Sequence, residues 1–116
     1  MRLLDTDVCI EILRGNRDVV ARRADVDDDV ATTWFTAAEL HCGAARSRSP
    51  EHNAALVDAF LSTLDVLLPC PASARIFGEA KALLRAEGRA PPDADLWIAS
   101  VAAAFSSLGH SFRNSP

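Results

Sequence analysis

Short apolar runs alternate along this chain with longer stretches of helical period. Residues 2–4 make a short, largely apolar run that stops at Asp5-Thr6-Asp7, which predicts a buried strand ending at Asp5. Thr6 or Asp7 is then placed to cap a helix carrying Val8, Ile10, Ile12 and Leu13 and closed by Gly15. Residues 17–24 suit a second short helix with a basic face, and Asp25 to Asp29, four aspartates and one valine, suits a solvated loop. Val30 to Trp34 is rich in β-branched and aromatic residues and predicts the second strand. A helix follows from about Thr36, with Leu40 and the small residues Ala37, Ala38, Ala44 and Ala45, until Ser47 to Pro50 breaks it. Glu51 to Thr63 repeats apolar residues at helical spacing. Asp65 to Leu68 is a short strand ended by Pro69 and Pro71. Ala72 to Glu87 is a helix closed by Gly88. After Arg89-Ala90-Pro91-Pro92, Asp93 stands where an N-cap belongs, ahead of Leu96, Trp97, Ile98 and Val101.

Continuous apolar strands separated by helices imply an α/β fold whose parallel sheet is covered on both faces. The length of 116 residues fits one domain, with residues 1–105 as its body and 106–116 as an atypical tail. From Ser106 to Pro116 no period is visible, so a last strand there is expected to be lost. Apolar residues at 49% and charged residues at 24% exclude a disordered chain. The formal net charge of −4 excludes a molecule that is basic as a whole, yet eleven of its twelve basic residues are arginine. An anionic partner must therefore meet a local patch. Arg14, Arg17, Arg22, Arg23, Arg46 and Arg48, in the segments after strands one and two, are candidates for it, and a solvated charged face explains them nearly as well. Three irregularly spaced cysteines argue for reduced thiols rather than a disulfide framework. An acid as early as Asp5 is not the start of a signal peptide, and no apolar stretch approaches the ~20 residues of a membrane helix, so a cytoplasmic location is expected.

Three acids fall at significant places. Asp5 ends strand one, Glu39 lies early in the helix after strand two, and Asp95 lies in the first turn of the last long helix. In a parallel sheet, strand carboxyl ends and the starts of the following helices share the edge where ligands bind. All three sit in apolar sequence, Leu3-Leu4-Asp5, Ala37-Ala38-Glu39-Leu40 and Ala94-Asp95-Leu96-Trp97, whereas surface acids usually have polar neighbours. Two like charges ~4 Å apart repel by about 4 kcal/mol at an effective dielectric of 20, so converging carboxylates require protonation or a cation. Oxygen-only donors select magnesium or manganese, and such an ion activates water against a phosphodiester. Taken singly, Asp5 reads equally well as a helix cap, Glu39 as an acid favoured by the helix dipole and Asp93 as a cap, while the role of Asp7 stays open. The histidines and cysteines lack metal-ligand spacing, and there is no glycine-rich phosphate loop. Cys9, Trp34 and Trp97 read as core residues.

Three segments resemble the motifs of PIN domains, especially those of VapC-type toxins. These are Leu3-Leu4-Asp5-Thr6-Asp7-Val8-Cys9-Ile10, Thr36-Ala37-Ala38-Glu39-Leu40-His41-Cys42-Gly43-Ala44 and Gly88-Arg89-Ala90-Pro91-Pro92-Asp93-Ala94-Asp95-Leu96-Trp97-Ile98-Ala99. Their order and intervals match over roughly residues 1–105. The resemblance implies a three-layer sandwich and a magnesium-dependent endoribonuclease, with manganese as a substitute. Asp5, Glu39 and Asp95 would form the catalytic acids. Asp5 and Asp95 would be direct metal ligands, and Glu39 would bind a second metal or orient the attacking water. It also implies transfer or ribosomal RNA as substrate, a cognate antitoxin laid into a groove near the acids, and a homodimer.

The departure from the family lies after Phe105. Members continue with an apolar strand, a motif like Thr-Arg-Asn and a further Asp, whereas here Phe112-Arg113-Asn114 is the nearest equivalent and the chain looks truncated or altered. Two further readings follow. One is a catalytically impaired PIN domain that only captures an antitoxin. The other is a phosphatase of the haloacid-dehalogenase type, suggested by Asp5-Thr6-Asp7; it usually needs a longer chain and a later lysine, and Lys81 is the only lysine.

Overall fold

The computed structural model describes residues 2–15, 23, 29–108, 113 and 114. In chain order these form β1 (Arg2–Leu3), α1 (Thr6–Arg14), β2 (Val30–Thr33), α2 (Trp34–Ala45), α3 (Pro50–Leu61), β3 (Asp65–Leu67), α4 (Pro71–Ala86), α5 (Asp93–Leu108) and β4 (Arg113–Asn114). The sheet runs β1-β2-β3-β4. The first three strands are parallel, with Leu3 opposite Ala31 and Thr33 opposite Leu67. The predicted helix over 17–24 and most of the loop at 25–29 lie outside the described residues.

Every residue of β2 is buried, because successive side chains point to opposite faces and both faces are covered. On one face Val30 joins Leu4, Cys9, Leu40, Ala44, Val57 and Phe60 in a core closed by α1, α2 and α3. On the other, Ala31 and Leu67 pack on Val101 of α5, flanked by Phe35 and Phe105. Full burial of a side chain such as Phe60 or Leu67 contributes about 1.5–3 kcal/mol. Helices therefore cover both faces, as the apolar strands imply.

Local chemistry sets the boundaries. Asp5, with extended backbone, accepts a hydrogen bond from the Val8 amide at 2.9 Å and so caps α1, one of the roles its sequence position offers, while Thr6 and Asp7 lie inside the helix. Thr33 does the same for α2 by accepting from the Thr36 amide at 3.1 Å. That helix consequently starts at Trp34 instead of near Thr36. Pro50 and Pro71 open α3 and α4, where the missing amide has no cost. Gly88, at φ +73°, ends α4 in the left-handed conformation that glycine adopts freely.

Two expectations are corrected. Asp93 is the first residue of α5, not its cap, since the Pro92 carbonyl accepts from the Leu96 amide at 3.2 Å. The last strand is reduced but present: β4 pairs antiparallel to β3, with Asn114 opposite Val66 and Arg113 opposite Leu67. The edge of β3 offers unpaired amides and carbonyls to any extended segment, so this pairing requires no apolar pattern in the tail. Among the described residues, no helix is long and apolar enough to cross a membrane.

Candidate active site

At the carboxyl edge of the sheet, β1 hands the chain to α1 through Asp5, and β2 hands it to α2 through Thr33. The two helix starts face the first turns of α5 across a cavity of about 350 Å³. Asp5, Asp7, Glu39 and Asp95 all line it, with Thr6 beside them. Asp95, Ile98, Ala99 and Ala102 form its α5 wall, at the i, i+3, i+4, i+7 spacing of a single helix face. Alanine at two of those positions leaves the room that larger side chains would fill. The three acids singled out in the sequence thus meet on one cavity, and all three are exposed to solvent there.

Glu39 is oriented by a chain of hydroxyls. Its Oε1 accepts from Thr6 Oγ1 at 2.6 Å, Thr6 Oγ1 lies 3.3 Å from Thr36 Oγ1, and Thr36 Oγ1 lies 3.4 Å from Thr33 Oγ1. A hydroxyl carries one proton. Because the shortest contact ends on a carboxylate, which only accepts, the other donations run in one direction, Thr33 to Thr36 to Thr6 to Glu39. Thr33 and Thr36 are fully buried, so water does not compete for this chain. Thr32, also buried, donates to the Leu4 carbonyl at 2.8 Å and ties β2 to the end of β1 beneath Asp5. Sequence reasoning missed this network. Its one visible signal is the density of threonine at 32, 33 and 36.

Asp95 is positioned by packing. Trp97 stacks between Phe35, at 5.6 Å between centroids, and Phe77, at 4.1 Å, with the rings within 15° of parallel. The column fixes α5 against the start of α2 and against α4. Lys81 lies over Phe77 and pairs with Asp93 at 3.1 Å, which turns Asp93 to the opposite side of α5 from Asp95.

Among the described residues, the cavity lining holds four carboxylates and no arginine, lysine or histidine. A hard divalent cation fits that donor chemistry. Among the described residues, no three His, Cys, Asp or Glu side chains stand close enough to hold an ion by themselves. Magnesium does not require it, since it commonly takes one or two carboxylates and completes its shell with waters and substrate phosphates. Of the candidate basic rim, Arg17 and Arg22 lie outside the described residues and none of the other four lines the acid cavity. Arg14 instead borders a neighbouring groove of about 320 Å³ between α1, α2 and α3, walled by Ile10, Leu13, Leu40, Leu56 and Val57 and touching Glu39.

A family model described as PIN domain matches residues 2–107. The chain belongs to the PIN domain family. Among PIN proteins, it is 34% identical over 101 residues to Ribonuclease VapC2 of Haemophilus influenzae, covering 86% of this chain and 76% of that one. It is 33% identical over 101 residues to the tRNA(fMet)-specific endonuclease VapC of Shigella flexneri, with the same coverage of 86% and 76%. The fold matches the solved structure of VapBC-1 from nontypeable Haemophilus influenzae with a TM-score of 0.74 at 26% identity, over 90% of this chain and 81% of that one. The PIN match spans all three acids and, but for the last residue of α5, the elements that carry them.

Proposed function

We propose that this PIN domain is a magnesium-dependent endoribonuclease, the toxin of a type II toxin–antitoxin pair acting in the cytoplasm. The observation that carries this reading is the cavity on which Asp5, Glu39 and Asp95 converge, with no basic side chain among the described residues of its lining. The named activities of the VapC relatives support it. Asp5 and Asp95 are the residues to hold the metal, with manganese as a substitute. The ion would polarise the scissile phosphate and lower the pKa of a bound water. Glu39 has Oε1 committed to Thr6, which leaves Oε2 to orient the attacking water and accept its proton. Transfer or ribosomal RNA is the substrate class, and a homodimer is the expected assembly.

The apolar groove beside Glu39 suits a helix or extended segment of a cognate antitoxin, in keeping with the similarity to VapBC complexes. A segment seated there would reach the cavity along Glu39 and close it to RNA.

Cleavage of transfer and ribosomal RNA by the purified chain, with magnesium and with EDTA, tests the proposal. Cleavage should require the metal and should fall at least about a hundredfold in Asp5→Asn and Asp95→Asn. Cleavage that survives EDTA or either substitution would overturn it. A wild-type chain that binds its antitoxin yet leaves RNA intact would support the impaired binding module instead.

A further inference from the structure

A third cavity, of about 180 Å³, opens on the opposite side of α5 from the acids, between the end of α4 and the start of α5. Lys81, Arg85 and Arg89 line it together with Asp93, Leu84 and Leu96. Three of the twelve basic residues thus share a small hollow in a chain whose formal net charge is −4. The placement follows from the turn at Gly88, which reverses the chain so that Arg85, before it, and Arg89, after it, face the same space.

The charges sort themselves. Lys81 pairs with Asp93 at 3.1 Å, so the one carboxylate among the described residues of the lining is neutralised where it stands. Arg89 lies 3.5 Å from Glu87, with both side chains more than half exposed, a contact that contributes little. The Arg85 side chain makes no hydrogen bond or ion pair with another described residue. Two guanidinium groups are therefore available to an anion, and their planar forks match phosphate oxygens. The start of α5 adds nothing decisive, because Asp93 and Asp95 already occupy it with negative charge.

Asp93 faces this basic hollow and Asp95 faces the acid cavity, both from the first turn of α5. Only the width of one helix, roughly 10–12 Å, separates the two. We infer that the hollow binds a backbone phosphate of the RNA strand, so that Arg85 and Arg89 hold a flanking nucleotide while the scissile phosphate lies over Asp95. The strand crosses the start of α5 between the two cavities. The inference rests on the ribonuclease reading and adds to it the place where an acidic protein grips its polyanionic substrate.

The test is the salt dependence of binding to a fluorescein-labelled RNA oligonucleotide in EDTA, where the metal-dependent cut does not proceed, alongside steady-state cleavage of the same strand with magnesium. In the double substitution Arg85→Ala/Arg89→Ala, the slope of log affinity against log salt should become shallower by about 0.7, the loss of one single-strand phosphate contact. KM should rise about tenfold with kcat within about twofold, and the melting temperature should be unchanged. The Arg85→Lys/Arg89→Lys pair should keep the salt slope. Arg75→Ala, on the same helix but outside the hollow, should change none of these. A double-alanine chain with the wild-type slope and KM would overturn this inference while leaving the ribonuclease reading in place. A wild-type chain that neither binds nor cuts RNA would overturn both.

Discussion

The two walls of the acid cavity are built by different physics. On the β1–α1–α2 side, Asp5 is a helix cap and Glu39 ends a run of buried and half-buried hydroxyls, so both carboxylates are held by directional hydrogen bonds. On the α5 side, the Asp95 carboxylate makes no hydrogen bond or ion pair with another described residue, and its helix is placed by the Phe35–Trp97–Phe77 column. The first wall fixes oxygen atoms to within a bond length; the second fixes a backbone and leaves a side chain free to turn. A metal-assisted cut across this cavity would use both properties, a rigid pair to orient water and a third acid able to follow the ion.

The packed wall should be the most sensitive to truncation. Trp97→Ala removes both stacking contacts of a half-buried ring and should cost about 3 kcal/mol, near 10 °C in melting temperature for a chain of this size. Because α5 loses its register, cleavage should fall with stability, and Trp97→Phe should restore much of both. A Trp97→Ala chain that melts like wild type would mean the column does not set the wall.

The hydrogen-bonded wall carries a pH signature through Cys9, which packs in the core beneath Asp5. Burial pushes its thiol up from 9.0 to about 11; a hydrogen bond with Thr32 opposes the shift and the charge of Asp5 adds to it. Between those values the unfolded chain loses the proton and the folded chain keeps it. The contribution is therefore complete below pH 9 and is lost as pH rises towards 11, by roughly 2–3 kcal/mol. Urea titrations across that window should show the fall in wild type and not in Cys9→Ala. In the native protein at neutral pH, a thiol reagent should modify the exposed Cys42 while leaving Cys9 unmodified.

What could be read from the sequence follows the same division. The covered sheet was visible in the runs at Val30 and Val66, and the three acids in their places at strand ends and helix starts, because those are local signals. The hidden features depend on partners far along the chain. Thr6 reaches Glu39 across 33 residues, Thr32 reaches Leu4 across 28, and Lys81 draws Asp93 away from a capping role that its position in sequence suggests. Likewise β4 joins the sheet by backbone pairing, which no apolar pattern has to announce.

Within the hydroxyl chain, Thr36→Val should cost about 1–3 kcal/mol, because Thr33 and Thr6 then face a methyl where each had a partner in a buried or half-buried place. Thr6→Val should cost less, near 1 kcal/mol, since Thr6 is only half-buried. Its effect on cleavage should be larger than its effect on folding: kcat down about tenfold, KM unchanged, because Glu39 keeps its place on α2 and loses only its orientation. Thr6→Ser supplies the same donor and should cleave like wild type. If Thr6→Val also cleaved at the wild-type rate, the 2.6 Å bond would be an ornament of the fold, and the first wall would be no more directional than the second.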